Sequence, residues 1–127
     1  MIQSQSKLKV ADNTGVRVIK VLSIRGYQKG GGHQRFGRLG DIVSASVQSA
    51  LPQSSISEHE KIHAVIVRTK KEMRRKDGTY IRFDDNAAVI IDLKNKLPMG
   101  TRILGPVARE LKDRGYNKII SMALEVL

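Results

Sequence analysis

The chain has 127 residues, enough to bury one core and too few for two. Its 23 Lys and Arg against 12 Asp and Glu give a formal charge of +11 at pH 7, and self-repulsion of that size points to a polyanionic partner, nucleic acid first. Cysteine is absent, which excludes disulfides, thiol nucleophiles and thiolate metal sites. No apolar run approaches the ~20 residues of a spanning helix, and no long amphipathic helix marks a membrane-surface protein.

The N-terminal residues lead almost at once into a strand-like segment at 8–10, with no signal h-region and no Arg/Ser-rich transit segment. Work in an organelle would then require synthesis there or a removed presequence. VRVIKVLSI at 16–24, bounded by Asp12-Asn13-Thr14-Gly15 and Gly26, is rich in β-branched residues and predicts a long strand. Both of its faces are partly apolar, as in a closed barrel or a bulged strand. The loop RGYQKGGGHQRFGR at 25–38 follows, with four cations: Arg25, Lys29, Arg35 and Arg38. It lacks the Gly-Lys-Ser/Thr ending of a P-loop and the G-x-G-x-x-G spacing, so no nucleotide site is expected. Glycines still let the backbone approach phosphates, and Tyr27 and Phe36 are placed to stack on bases.

Residues 41–50 alternate, with Val43, Ala45 and Val47 on one face and Ser44, Ser46 and Gln48 on the other, which predicts a half-buried strand. PQSSIS at 52–57 reads as loop. HEKIH at 59–63 then matches H-E-x-x-H literally, the pattern in which two His bind zinc and the Glu activates water. That chemistry needs a helix. Here the pattern runs into the β-branched Val65-Ile66-Val67, and in an extended chain residues four apart are ~13 Å apart. A zinc hydrolase is therefore the remote reading, and no metal or other cofactor is expected.

The densest charge lies at 68–82 (RTKKEMRRKDGTYIR), where Arg68, Lys70, Lys71, Arg74, Arg75, Lys76 and Arg82 face only Glu72 and Asp77. Segments 62–69 and 79–83 are expected to flank its Asp77-Gly78 turn as a hairpin projecting between two apolar strands, the second at 87–92. A basic run can be a solvated face or an edge-strand guard. Those readings account for one or two charges, not for this density beside a second basic loop, so polyanion binding is the stronger reading. Asp84-Asp85-Asn86 reads as a turn at a strand end, not as a catalytic carboxylate pair. With five or six short strands, the pattern suggests a small barrel or sandwich. After Leu97-Pro98 the chemistry changes. GPVARELKDRG at 105–115 predicts a short helix with Pro106 at its first position, Val107 and Leu111 stacked, Glu110 paired with Arg114, and Gly115 as its stop. The apolar segment 118–127 is expected to pack on the core.

Ala64-Val65-Ile66-Val67, the Asp77-Gly78 pair, Phe83, Asn86 and Val89-Ile90 stand at the spacing of a family signature, supported by ADNTG at 11–15, VRTKK at 67–71, GTRILGP at 100–106, AREL at 108–111 and KIIS at 118–121. Over nearly the whole chain the sequence resembles the universal large-subunit ribosomal protein family L-fourteen, of bacterial or organellar type. The resemblance implies a mainly β fold: a five-stranded β-barrel with a projecting basic hairpin and short C-terminal helices. It divides one domain, 1–127, into a barrel over roughly 1–97 and a C-terminal region over roughly 98–127. It also implies a non-enzymatic constituent of the large ribosomal subunit that binds large-subunit rRNA, contributes to intersubunit bridges with small-subunit rRNA, and neighbours ribosomal proteins L-three and L-nineteen. The basic hairpin residues named above become rRNA contacts, and Arg25, Lys29, Arg35 and Arg38 of the glycine-rich loop are expected to touch rRNA beside them. Thr101, Arg102 and Lys118 fall where a ribosome-silencing factor docks in bacterial relatives. The location implied is the ribosome, in bacterial cytoplasm or an organelle matrix. Two departures stand out: the loop 27–36 is longer and richer in glycine than the usual bacterial form, and Leu124 stands where the family usually has Pro. A free RNA-binding translation factor or RNA chaperone is the main rival.

Overall fold

The computed structural model describes residues 2–25 and 36–127 and is mainly β. The strands in chain order are β1 (Lys7–Val10), β2 (Val16–Arg25), β3 (Ile42–Ala50), β4 (Lys61–Arg68), β5 (Met73–Arg74), β6 (Tyr80–Ile81), β7 (Ala87–Asp92) and β8 (Leu97–Pro98). Two short helices follow, α1 (Glu110–Asp113) and α2 (Asn117–Met122). Strands β1-β2-β3-β4-β7 pair antiparallel in that order, and β1 closes the barrel by running parallel to β7, with Lys9 opposite Ala87 and Val10 opposite Ala88. The far end of β7 pairs with β8 instead, Ile91 opposite Pro98. Closure leaves the five barrel strands without a free edge.

The hydrophobic pattern of each strand follows from how many of its faces are covered. β3 has one wet face: Val43, Ala45 and Val47 point into the barrel while Ser44, Ser46 and Gln48 remain partly exposed. Each such buried Val is worth about 1.5 to 3 kcal/mol. β2 slips register against β3 between Val16 and Val18, between Val18 and Ile19, and between Val21 and Ser23, so its two-faced apolar character comes from bulges. β4 and β7 are covered on both faces. Ala64, Ile66, Ala88 and Ile90 join the barrel interior, while Val65, Val67, Val89 and Ile91 pack outward under Ile103, Val107, Leu111, Tyr116 and Ile119. Their unbroken runs AVIV and AAVII follow from that double burial.

The structure corrects three local expectations. β4 does not pair with the 79–83 segment; its partners are β3 and β7, and the projecting ribbon is the separate two-stranded pair β5–β6, Met73 opposite Ile81 and Arg74 opposite Tyr80. The helix expected over 105–115 shrinks to Glu110–Asp113, because Val107 is drawn into a parallel bridge with Val126. Val107 donates to Glu125 O at 3.0 Å and accepts from Leu127 N at 2.9 Å. The expected Glu110–Arg114 pair is not made: Arg114 lies past the end of α1 and donates to the buried Asp41, while Glu110 meets Arg75. Gly115, at φ +89°, ends the turn as its position suggested. The terminal segment packs through Ile119, although Leu124 is 90% exposed and puts no side chain into the core.

Candidate nucleic-acid interface

The basic segment leaves the barrel through a residue that does not face solvent. Arg68, at the end of β4, is 8% exposed. Its Nε and Nη2 donate to the two carboxylate oxygens of Asp85 at 2.9 and 3.3 Å, and Nη1 donates to Leu104 O at 2.8 Å and Pro106 O at 3.0 Å. The planar fork suits this set of acceptors. A Cβ on Gly105, which sits at φ +79°, would lie 2.5 Å from Nη1, so the neighbouring backbone is shaped to the guanidinium. Just beyond, Lys70 N donates to Asn86 Oδ1 at 2.8 Å and Phe83 N donates to Thr69 O at 2.9 Å, which fixes both ends of the excursion.

The tip is a tight turn. Gly78 N donates to Arg75 O at 3.0 Å and Arg75 N donates to Thr79 O at 2.7 Å, with Gly78 at φ +88° in the left-handed region that favours glycine. Asp77 Oδ1 accepts from Thr79 N at 3.0 Å and Thr79 Oγ1 at 2.6 Å, and these bonds hold its carboxyl below the usual range. Arg75 folds back on the body: its Nε lies 2.6 Å from Glu110 Oε1 at an angle too bent for a hydrogen bond, while Nη2 donates to Glu110 Oε2 at 3.3 Å and to Leu127 O. Arg68 and Arg75 therefore act as struts. Lys70, Lys71, Arg74, Lys76 and Arg82 remain exposed, beside Tyr80 at 65% exposure.

Arg38 joins this set from the other side of a shallow groove, whose walls include Arg38 and Leu39 on one segment and Lys71, Met73 and Arg74 on the other. The one acid at this groove, Glu72, pairs with Lys71 at 3.3 Å; its own backbone N–H and then Lys71 hold its carboxyl low. Arg25 is exposed at the end of β2, and Phe36 is half-buried. Lys29 and Arg35, with Tyr27, lie outside the described residues.

Thr101, Arg102 and Lys118 belong to a different face. Asn13 Oδ1 accepts from Thr101 N at 2.8 Å and Arg102 N at 3.1 Å, and Asn13 Nδ2 donates to Thr101 Oγ1 at 2.7 Å. Thr101 and Lys118 line one groove with Leu97, Gly100 and Met122, and Arg102 is exposed outside its lining. A Cβ on Gly100 would sit 2.8 Å from Asn13 Oδ1. The clamp depends on buried Asp12, whose Oδ1 accepts from Thr14 N at 3.1 Å and Thr14 Oγ1 at 2.6 Å, and whose Oδ2 accepts from Ile90 N at 3.1 Å. Burial pushes the Asp12 carboxyl up, and the same hydrogen bonds offset part of that rise. The Asp-Asn-Thr-Gly turn was visible in the sequence, but its grip on Thr101 was not.

The H-E-x-x-H residues are not on a helix. His63 is half-buried in β4, and His59 precedes the strand at φ +67°, donating its N–H to Val47 O at 2.8 Å. Glu60 accepts from Ser57 N at 3.0 Å. Among the described residues, no three His, Asp or Glu side chains converge as metal ligands, and no helix is long and apolar enough to cross a membrane.

Comparison with known proteins agrees with the fold. The family described as Ribosomal protein L14p/L23e matches residues 1–127. The large ribosomal subunit protein uL14 of Petrotoga mobilis is 56% identical over 126 residues, covering 99% of each chain. A closed five-stranded barrel, a basic ribbon braced by two arginines, and end-to-end similarity to a ribosomal protein lead to one assignment: the chain belongs to the ribosomal protein L14p/L23e family, a structural, non-enzymatic constituent of the large ribosomal subunit.

Proposed function

We propose that this chain takes its place in the large subunit by binding large-subunit rRNA through the exposed face of the ribbon and the groove beside it. The carrying observation is the five cations that the struts leave outward, Lys70, Lys71, Arg74, Lys76 and Arg82, with Arg38 across the groove. Their work is electrostatic: they neutralise phosphates and release counterions, while the barrel fixes their register on the folded RNA. Shape dominates base reading, because a paired RNA offers side chains mainly backbone and 2′-hydroxyls. Contribution to bridges with small-subunit rRNA, and contact with ribosomal proteins L-three and L-nineteen, follow from the family resemblance. Residues 1–127 act as one domain in this reading.

The test is a salt titration of rRNA binding. Replacing Lys70, Lys71, Arg74 and Lys76 together by Gln should lower the slope of log K against log salt by about 3 and leave thermal unfolding nearly unchanged. An unaltered slope would sink the proposal. A free RNA-binding factor, the rival, would leave the large-subunit peak in a moderate-salt wash, whereas a resident protein stays. The family resemblance implies a second role, docking of a ribosome-silencing factor on the face of Thr101, Arg102 and Lys118, where the Asn13 clamp holds the backbone of the first two. Asn13→Ala should weaken such docking without altering rRNA affinity.

A further inference from the structure

The outer wall of the barrel carries positive charge that the ribbon does not include. Strands β1 to β4 hold Lys7, Lys9, Arg17, Lys20, Arg25, Lys61 and Arg68, and not one Asp or Glu. Arg68 is taken up at the ribbon root, but the lysines are not. Lys7 stands opposite Lys20, Lys20 opposite Ser46, and Ser46 opposite Lys61. Their strand neighbours Leu8, Ile19, Val21, Ala45, Val47 and Ile62 are all in the barrel interior. Alternation therefore sets the four residues in one outward row across four strands, spanning about 14 Å at the usual strand spacing. Lys9, two residues from Lys7, shares that face. None of the four ion pairs among the described residues involves any of these lysines.

Such a row works against the protein that carries it, since like charges directly opposite on paired strands are destabilising. Guarding an edge strand does not explain it, because β1 to β4 are paired on both sides in a closed barrel. These strands also lack Phe, Tyr and Trp, so the wall offers no stacking platform. What remains is point charge on a rigid surface, the arrangement that suits phosphates and not bases.

We propose that the row Lys7, Lys20 and Lys61, with Lys9 beside it, is a second contact surface for the rRNA phosphate backbone. It rests on the rRNA-binding reading above and adds to it a part of the molecule with no loop or ribbon.

Full-length K7Q/K20Q/K61Q should bind a large-subunit rRNA transcript with a salt slope smaller by about 2 to 3. Its melting temperature should be unchanged or higher, because the Lys7–Lys20 opposition is gone. Should the triple variant misfold, K20Q alone should lower the slope by about 0.7 to 0.9. The ribbon variant K70Q/K71Q/R74Q/K76Q runs alongside. A reduced slope for the ribbon variant with no change for the wall variant overturns the wall proposal and spares the rRNA reading; no change in either overturns both. A photo-crosslinking amino acid at position 20 in assembled subunits should capture rRNA. Capture of a protein instead, or of nothing, overturns the proposal.

Discussion

On the ribbon, positive charge is held by a few polar contacts: Arg68 by Asp85 and two carbonyls, Arg75 by Glu110 and Leu127 O, and the turn that follows Arg75 by Asp77 and Thr79. Along β1 to β4, the lysines have no carboxylate on their own strands, and the ladder of a closed barrel holds their Cα positions. The two regions show that the same sign of charge can be placed by side-chain bracing or by backbone geometry. Bracing can be broken by one substitution, whereas the wall can only be discharged.

The largest effect is expected at the ribbon root. Arg68→Ala strands the Asp85 carboxylate and two carbonyls, and should cost about 3 kcal/mol in chemical denaturation. Arg68→Lys should recover only part of this, since an ammonium cannot reproduce the fork. Near-native stability for Arg68→Ala would mean that the root is not braced as described. Next comes Glu110→Gln, which loosens Arg75 for about 1 kcal/mol. Hydrogen exchange at Arg75 and Gly78 should quicken while β2 and β3 amides stay protected; equal acceleration in both places would erase the distinction between the regions. Smaller still, and opposite in sign, Lys7→Thr should raise stability by about 0.2 to 1 kcal/mol by removing the charge facing Lys20. A loss of stability would show that Lys7 has a favourable partner on the wall. The smallest effect is local to the tip. Because the Asp77 carboxyl is held below its ordinary value of 3.8, its contribution is present above that value and lost as pH falls through the lowered one. Acidification below pH ~4 should therefore disorder the Thr79 amide before it affects β1 to β4, which carry no carboxylate. Nuclear magnetic resonance titration would show the order of loss.

Much of the barrel was legible because its signals are local. The alternation at 41–50 gave β3 almost to the residue, and the two apolar faces of 16–24 became the bulges of β2. The Asp77-Gly78 turn and a basic ribbon around it were also readable, but not the ribbon's strands, because 62–68 is drawn into the barrel between β3 and β7 and leaves only Met73–Arg74 to pair with Tyr80–Ile81. Arg68 was not, because in sequence it is one of seven cations, and its acceptors Asp85, Leu104 and Pro106 lie 17, 36 and 38 residues away. The Glu110–Arg114 pair failed for a related reason. Helical spacing predicts a contact only if the helix lasts, and α1 ends at Asp113 while Asp41 and Arg75 compete from elsewhere. The wall lysines are invisible as a group, since strand register alone puts positions 7, 20 and 61 in one row.

The parallel seam between β1 and β7 also sets an order of events. An antiparallel neighbour such as β2 can find β1 as soon as a short turn has been made, but the seam requires contacts across nearly the whole barrel. Asp12 receives the Ile90 amide across 78 residues of sequence. Loop closure over that length is slow compared with hairpin formation. During synthesis, the first strand must therefore wait, its Asp12 carboxylate still in water, until β7 has emerged. The barrel cannot close before roughly two-thirds of the chain has been made, and the Asn13 clamp on Thr101 can form only after that.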